Sequence, residues 1–136
     1  MALLSSVTLA GDTHVFTLLN AVVELPMKDE QISDKAYLEL LNLGASAVPD
    51  LVAAITSEKA IKDPRPVPHN EQFRIGDLAH IVLCKITKRD FEDALPKNVR
   101  SRFVSEGVSA YFEYVRIPKN RKKLQANWRI WLDNHK

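Results

Sequence analysis

Apolar residues recur at helical spacing along most of this chain. The first helix is predicted to begin near Asp12 and to stop before Pro26. Its apolar residues follow the i, i+3, i+4, i+7 spacing of one helix face: Val15, Leu18, Leu19 and Val22. A second helix is predicted from the N-cap Ser33 to Gly44, because a serine hydroxyl accepts from the first backbone N–H groups and glycine takes the left-handed conformation that ends a helix.

Two further helices flank a long proline-rich loop. The earlier one begins at Ser46 and carries Pro49 in its first turn, where a missing N–H costs nothing. The later one is capped by Asn70 and points six apolar residues to one side: Ile75, Leu78, Ala79, Val82, Leu83 and Ile86. Between them, residues 57–72 contain prolines at positions 64, 66 and 68, which favour a stiff extended loop over a helix.

The C-terminal third adds a short turn over residues 90–96 and two more helices. One is predicted from Lys97 to about Val115, with Gly107 permitting a bend inside it. The other starts at Pro118 and has four large apolar residues on its inner face: Leu124, Trp128, Trp131 and Leu132. The pattern therefore predicts an all-α chain of about six helices, in a single domain covering residues 1–136. Short connections favour antiparallel neighbours.

The sequences AVPDLVAAI and IGDLAHIVLCKI, within residues 46–86, resemble the two helices of a HEAT repeat. The early Pro49 and the apolar positions of the second helix carry the resemblance, and the small Ala79 would let the two helices approach closely. Two features depart from the family pattern: Gly76 stands where an arginine is usual, and the loop between the helices is much longer. The resemblance implies a HEAT-like stack or a compact bundle of helices and a binding role, and it transfers no catalytic residues.

Charge is distributed unevenly, although the net charge of the 136 residues is only +2. From Arg116 to Lys136 there are seven lysines and arginines and one acid, about +6, whereas the first 115 residues carry −4. A net charge this small does not indicate nucleic acid, and the asymmetry places the candidate functional surface at the C-terminus. The partner predicted for such a surface is a protein with an acidic face.

The single cysteine, Cys84, favours a reducing compartment and therefore a cytoplasmic location. The apolar start MALLSSVTLAGD offers an alternative, an exported protein with a trimmed signal peptide, although it lacks the basic first region of such signals. No apolar run is long enough to predict a membrane span.

Three chemically active residue types, Asp77, His80 and Cys84, are spaced i, i+3, i+7 on the side of their helix opposite the apolar stripe. One hypothesis makes them a metal site or a Cys-His pair. The competing interpretation is a partly packed helix face, with His80 hydrogen-bonded and Cys84 acting as a small apolar residue, because a closed zinc site needs four ligands and no second ligand pair appears. The sequence also lacks a phosphate loop, a paired-acid motif and a nucleophile elbow, which predicts no cofactor and no enzymatic activity.

Two surfaces remain as candidate partner-binding sites. The proline loop can present Asp63, Arg65 and His69 to a partner, or it can cap one end of the core. The last helix is predicted to expose four cations on its outer face: Lys119, Lys122, Lys123 and Arg129. Ile130 falls among them and should also be exposed.

The predicted function is a small non-enzymatic protein-binding module, such as an inhibitor or an immunity-type protein. Two alternatives stay open: an enzyme or metal-binding protein that uses Asp77, His80 and Cys84, and a nucleic-acid-binding protein that uses the basic C-terminal helix. The second alternative is disfavoured because the tryptophans lie on the core side of that helix, where they cannot stack on bases.

Overall fold

The fold is an all-α helical bundle, as predicted. The structure, a computed structural model, describes residues 14–24, 34–62 and 72–135. Its helices are α1 (residues 14–21), α2 (Lys35–Leu43), α3 (Val48–Ala54), α4 (Ile75–Thr87), α5 (Lys97–Glu106), α6 (Val108–Val115) and α7 (Pro118–Asn134). Two short 3₁₀ turns, Gly44–Ala47 and Phe91–Ala94, complete the helical segments of the described ranges.

The junction between α1 and α2 is organised by Asp34 rather than by Ser33. One carboxylate oxygen of Asp34 accepts from the backbone N–H of Tyr37 (3.0 Å), which caps α2. The other oxygen accepts from the backbone N–H groups of Val23 and Glu24 (3.0 and 3.1 Å), just beyond α1. An aspartate can serve both helices because its two oxygens offer about four acceptor positions, whereas a serine hydroxyl offers two. The apolar face predicted for α1 is buried in the core.

The boundaries of α3 and α4 differ from the prediction. Ser46 lies inside a 3₁₀ turn, so α3 begins two residues later. The predicted cap Asn70 lies outside the described residues, and α4 begins only at Ile75. The reason is an antiparallel pairing of the two ends of the loop around the bridge between Ala60 and Arg74, which holds the chain extended up to Arg74.

The predicted helix from Lys97 to Val115 is divided in two at Gly107. This glycine has φ +62°, in the left-handed region that ends a helix, and its N–H bonds to the carbonyl of Phe103. The prediction of a bend was therefore too weak, since the break separates α5 from α6 completely. The turn over residues 90–96 is confirmed as 3₁₀.

α4 lies at the centre of the bundle, and its first six residues, 75–80, are all buried. Its closest approach is to the C-terminal end of α3 at Gly76. A Cβ placed on Gly76 would lie 2.2 Å from the carbonyl oxygen of Ile55 and 2.7 Å from the Nη1 of Arg121. Only glycine fits there, so the small residue that permits the helices to approach is Gly76 rather than the predicted Ala79 alone.

Candidate functional site: the last helix and its anchorage on α4

Asp77 is fully buried and forms the first contact between α4 and α7. Arg121 of α7, also buried, places its Nη1 3.1 Å from Oδ1 and its Nη2 3.3 Å from Oδ2 of Asp77. Tyr111 of α6 donates its hydroxyl hydrogen to Oδ1, and the backbone N–H of Arg74 donates to Oδ2 at 2.9 Å. The carboxylate is therefore enclosed by donors, which is how a buried charge is tolerated in a protein interior.

His80 forms the second contact, one turn further along α4. Its Nδ1 accepts from the indole Nε1–H of Trp128 on α7 at 3.0 Å, and its Nε2 lies 3.0 Å from the carbonyl oxygen of Phe91. A carbonyl only accepts and an indole N–H only donates, so the ring must carry its hydrogen on Nε2 and keep Nδ1 bare. The imidazole is thus fixed as one neutral tautomer, and it lies parallel to the ring of Tyr111 with centroids 5.7 Å apart.

Ionisation of these buried groups is shifted by their surroundings. The pKa of His80 is lowered from 6.5 to about 4, mainly by burial; the hydrogen bond to Phe91 acts in the opposite direction, and the nearby Arg89 contributes a smaller lowering. Burial raises the pKa of the Cys84 thiol to about 12. Burial and the adjacent carboxylate of Asp77 raise the pKa of Tyr111 well above its usual value. All three side chains are therefore neutral near pH 7.

The predicted hydrogen bonding of His80 is confirmed, but the predicted placement of Asp77 and His80 on a partly packed face is wrong, because both side chains are completely buried. α4 is covered on that side by α6 and α7, which could not be foreseen from the pattern of α4 alone. Cys84 is half-buried, with Sγ 3.8 Å from Nε2 and 4.0 Å from Nδ1 of His80. Both nitrogens of His80 are already engaged, so in this arrangement neither is free to ligate a metal or to accept a proton from the thiol. Within the described ranges, no group of three His, Cys, Asp or Glu residues is placed to hold a metal ion.

Arg89, just after α4, supplies a third contact to α7. Its Nε bonds to the carboxylate of Asp93 and its Nη2 to the amide oxygen of Asn127, both at 2.7 Å. Its guanidinium carbon lies 4.6 Å from the ring centre of Trp128 and 4.9 Å from that of Trp131. These distances define cation–π contacts, which strengthen as the cation is removed from water.

The outer face of α7 is basic. Lys119, Lys122, Lys123 and Arg129 are all exposed, as predicted, and Ile130 is 63 % exposed. None of the four cations makes an ion pair or a side-chain hydrogen bond with another residue in the part of the chain that the structure describes. At 100° per residue, Lys119, Ala126 and Ile130 form the centre line of this face, and the other cations flank it. We call the five residues Lys119, Lys122, Lys123, Arg129 and Ile130 the α7 basic face.

The anchoring residues Arg121, Gln125 and Arg89 were not singled out from the sequence. For the first two a signal was present: Arg121, Leu124, Gln125 and Trp128 follow the i, i+3, i+4, i+7 spacing of one face. Gln125 donates from that face to the carbonyl oxygen of Val52 at 2.9 Å. Arg89 carries no such signal, because it lies in a connection. The predicted loop residues Asp63, Arg65 and His69 lie outside the described residues, so that candidate stays a prediction.

Comparison with protein-family models, with curated proteins and with solved structures gives no match to this chain. Among the described helices, none is both long and apolar enough to cross a membrane. The candidate function therefore depends on the geometry of α7 and its neighbours.

Proposed function

We propose that this chain is a non-enzymatic binding protein that holds an acidic protein through the α7 basic face. The observation that carries the proposal is the set of four exposed cations on α7 that have no partner among the described residues. Elsewhere in the described chain, exposed arginines do find acids, as Arg102 does with Glu106 and Glu113. A surface whose positive charges are left unpaired is complementary to a surface of carboxylates.

The rigidity of α7 supports the same proposal. Its inner face is fixed to α3 and α4 by hydrogen bonds from Arg121, Gln125 and Trp128. The cations on the outer face are consequently attached to a helix that does not need to be ordered when a partner binds. Pre-organisation of this kind reduces the entropic cost of association.

Ile130 favours a protein partner over nucleic acid. It lies on the centre line of the α7 basic face, where an exposed aliphatic side chain can enter an apolar recess but gains nothing from a phosphate backbone. Trp128 is fully buried, and Trp131 is half-buried against Arg89 and His135, so neither offers a free ring on which a base can stack.

We also propose that α3 and α4 form a HEAT-like pair of helices. The close contact of these two helices at Gly76 supports this description. At the same position the sequence departs from the family pattern, which usually has an arginine. An inhibitor or an immunity-type protein is the concrete form of the proposed function, since such proteins act by occupying a surface. The competing use of Asp77, His80 and Cys84 in metal binding or catalysis is disfavoured by the hydrogen bonds that already engage the first two.

Reversal of charge on the α7 basic face tests the proposal. The variant Lys122→Glu/Lys123→Glu and the matched control Lys59→Glu/Lys97→Glu change the net charge equally, and all four lysines are exposed. We expect a protein captured from native lysate by the wild type and by the control to be lost from the first variant. Equal capture by all three proteins, or equal loss from both variants, would contradict the role of this face.

A substitution that changes no charge distinguishes a protein partner from a nucleic-acid partner. Ile130→Ser should weaken binding of the purified captured protein, whereas Val104→Ser, at an aliphatic side chain of α5 that is 91 % exposed, should not. Binding of a single-stranded oligonucleotide depends on charge and should respond to neither substitution. Tight oligonucleotide binding with a steep salt dependence, unchanged by Ile130→Ser, would favour the nucleic-acid alternative.

A further inference from the structure

We propose that protonation of His80 releases α7 from the bundle, so that acidification removes the α7 basic face from its binding position. The release is a property of the free protein and can be measured without a partner. Only its consequence for binding rests on the proposed function.

The partners of His80 limit the number of hydrogens that the ring can hold. One nitrogen faces a carbonyl, which accepts a hydrogen, and the other faces the indole N–H of Trp128, which supplies one. Protonation from solvent adds a hydrogen to Nδ1 and makes it a donor, so two N–H groups then face each other across 3.0 Å. The bond between α4 and α7 becomes a repulsive contact, while the bond from Nε2 to Phe91 is kept.

The charged and titratable groups around His80 do not offset this positive charge. The titratable and charged groups around His80 and the adjoining Cys84 are, on α4, Asp77, Cys84 and Lys85; on α6, Tyr111; on α7, Arg121; and on the segment after α4, Arg89, Asp90, Glu92 and Asp93. The charged side chain that acts on the His80 ring is that of Arg89, which is itself a cation. The carboxylates of Asp77 and Asp93 are already paired with Arg121 and Arg89. The carboxylates of Asp90 and Glu92 act on the neighbouring Cys84, but neither is bonded to the His80 ring. An imidazolium would therefore be buried beside a cation with no carboxylate bonded to it, and release of α7 admits water to it.

The direction of the pH effect follows from the two pKa values. When α7 is docked, the pKa of His80 is about 4, whereas the pKa of a solvated imidazole is 6.5. The released state therefore binds the proton more readily, and docking is strongest above pH 6.5 and weakens as the pH falls towards 4. With these values, the equilibrium constant for release rises roughly 20-fold between pH 7 and pH 5.

Both tryptophans of the chain, Trp128 and Trp131, lie on α7, so tryptophan emission reports this helix alone. Urea unfolding followed by emission and by far-ultraviolet circular dichroism compares α7 with all helices together. At pH 7 we expect the two transitions to coincide. At pH 5 we expect the emission transition to move to lower urea than the dichroism transition, because α7 leaves first.

The variant His80→Gln keeps an amide that can donate to Phe91 and accept from Trp128 but does not titrate. We expect its two transitions to coincide at both pH values. Coincident transitions in the wild type at pH 5, or the same separation in His80→Gln, would overturn the proposal. If the variant does not fold, ¹⁵N resonances of the wild-type imidazole decide the matter: His80 should titrate near pH 4 together with a shift of the Trp128 indole N–H signal, and titration near 6.5 without that shift refutes the release.

The two proposals fail separately. A loss of α7 docking at pH 5 with no effect of Lys122→Glu/Lys123→Glu on capture at pH 7 would leave the release intact and remove the binding role. Charge-dependent capture at pH 7 with no separation of transitions at pH 5 would support the binding role and refute the release of α7.

Discussion

Replacing Arg121 by methionine should be among the most damaging single changes in this chain. The Arg121 side chain is 5 % exposed and that of Asp77 only 1 %, so both charges of the pair are out of water. Methionine fills much of the same volume without the charge. It leaves the carboxylate of Asp77 with the hydroxyl of Tyr111 and one backbone N–H as its remaining partners.

Removal of one partner from a buried ion pair typically costs about 3–5 kcal/mol, because the other charge stays in the interior without compensation. A domain of ordinary stability has roughly 5–15 kcal/mol in total, so the loss is a large share of it. For a chain of this length the expected fall in melting temperature is about 10–20 °C. Asp77→Asn added to Arg121→Met should recover part of the loss, since a neutral amide no longer leaves a buried charge unpaired.

The matched control is Arg102→Met. Arg102 also bonds to two carboxylates, those of Glu106 and Glu113, but the pairs are on the surface, where water and salt screen them. Urea unfolding monitored by circular dichroism compares the two variants at pH 7. We expect a large loss of unfolding free energy for Arg121→Met and a much smaller one for Arg102→Met. If Arg121→Met costs no more than Arg102→Met, the contact of α7 with α4 does not depend on this pair.

Three other changes have defined outcomes. Gly76→Ala should lower the unfolding free energy by about 1–3 kcal/mol, because its Cβ would lie 2.2 Å from the carbonyl oxygen of Ile55. In the control Gly44→Ala the new Cβ meets no atom within 4 Å, so the only strain comes from the positive φ. Equal losses of the two variants in urea titrations would contradict this. Lys88→Gly should raise stability by up to about 1 kcal/mol, since Lys88 ends α4 at φ 60° without being glycine, and a lower urea midpoint would refute it. Cys84, whose pKa burial raises to about 12, should react with iodoacetamide at pH 8 much more slowly than a free thiol, because little of it is thiolate, and alkylation as fast as that of a free thiol would contradict this.

The helical pattern predicted the elements of this fold where the signal is local. The inward apolar residues of α1, α3 and α4 follow from a spacing that each helix carries in its own sequence. The helix starts were less accurate, and the physical reason differs at each. Asp34 is the N-cap of α2, and its carboxylate also accepts from backbone N–H groups just beyond α1. α4 starts later than predicted because Arg74 is held in a backbone pairing with Ala60.

The basic face of α7 was predicted because exposure on a helix follows from angular position. The anchorage behind it was not, because its contacts join residues far apart in the sequence. From the sequence of α4 alone, Asp77 and His80 are predicted to lie on a partly packed polar face. Their partners Arg121 and Trp128 lie 44 and 48 residues further along the chain, and only the packing of α7 against α4 shows that these polar residues face inward.

The anchorage also explains how α7 can be both docked and highly charged. Of its 17 residues, only Arg121, Leu124 and Trp128 are buried, and Trp131 and Leu132 are half-buried beside them, so the buried apolar stripe is narrow for a helix of this length. Apolar burial alone would tolerate a rotation or a shift of the helix, because it is not directional. The bonds of Arg121 to Asp77, and of Trp128 to His80, are directional and are all formed in one register only. That register determines which side of α7 faces water, so the same polar contacts that hold the helix also orient its four unpaired cations.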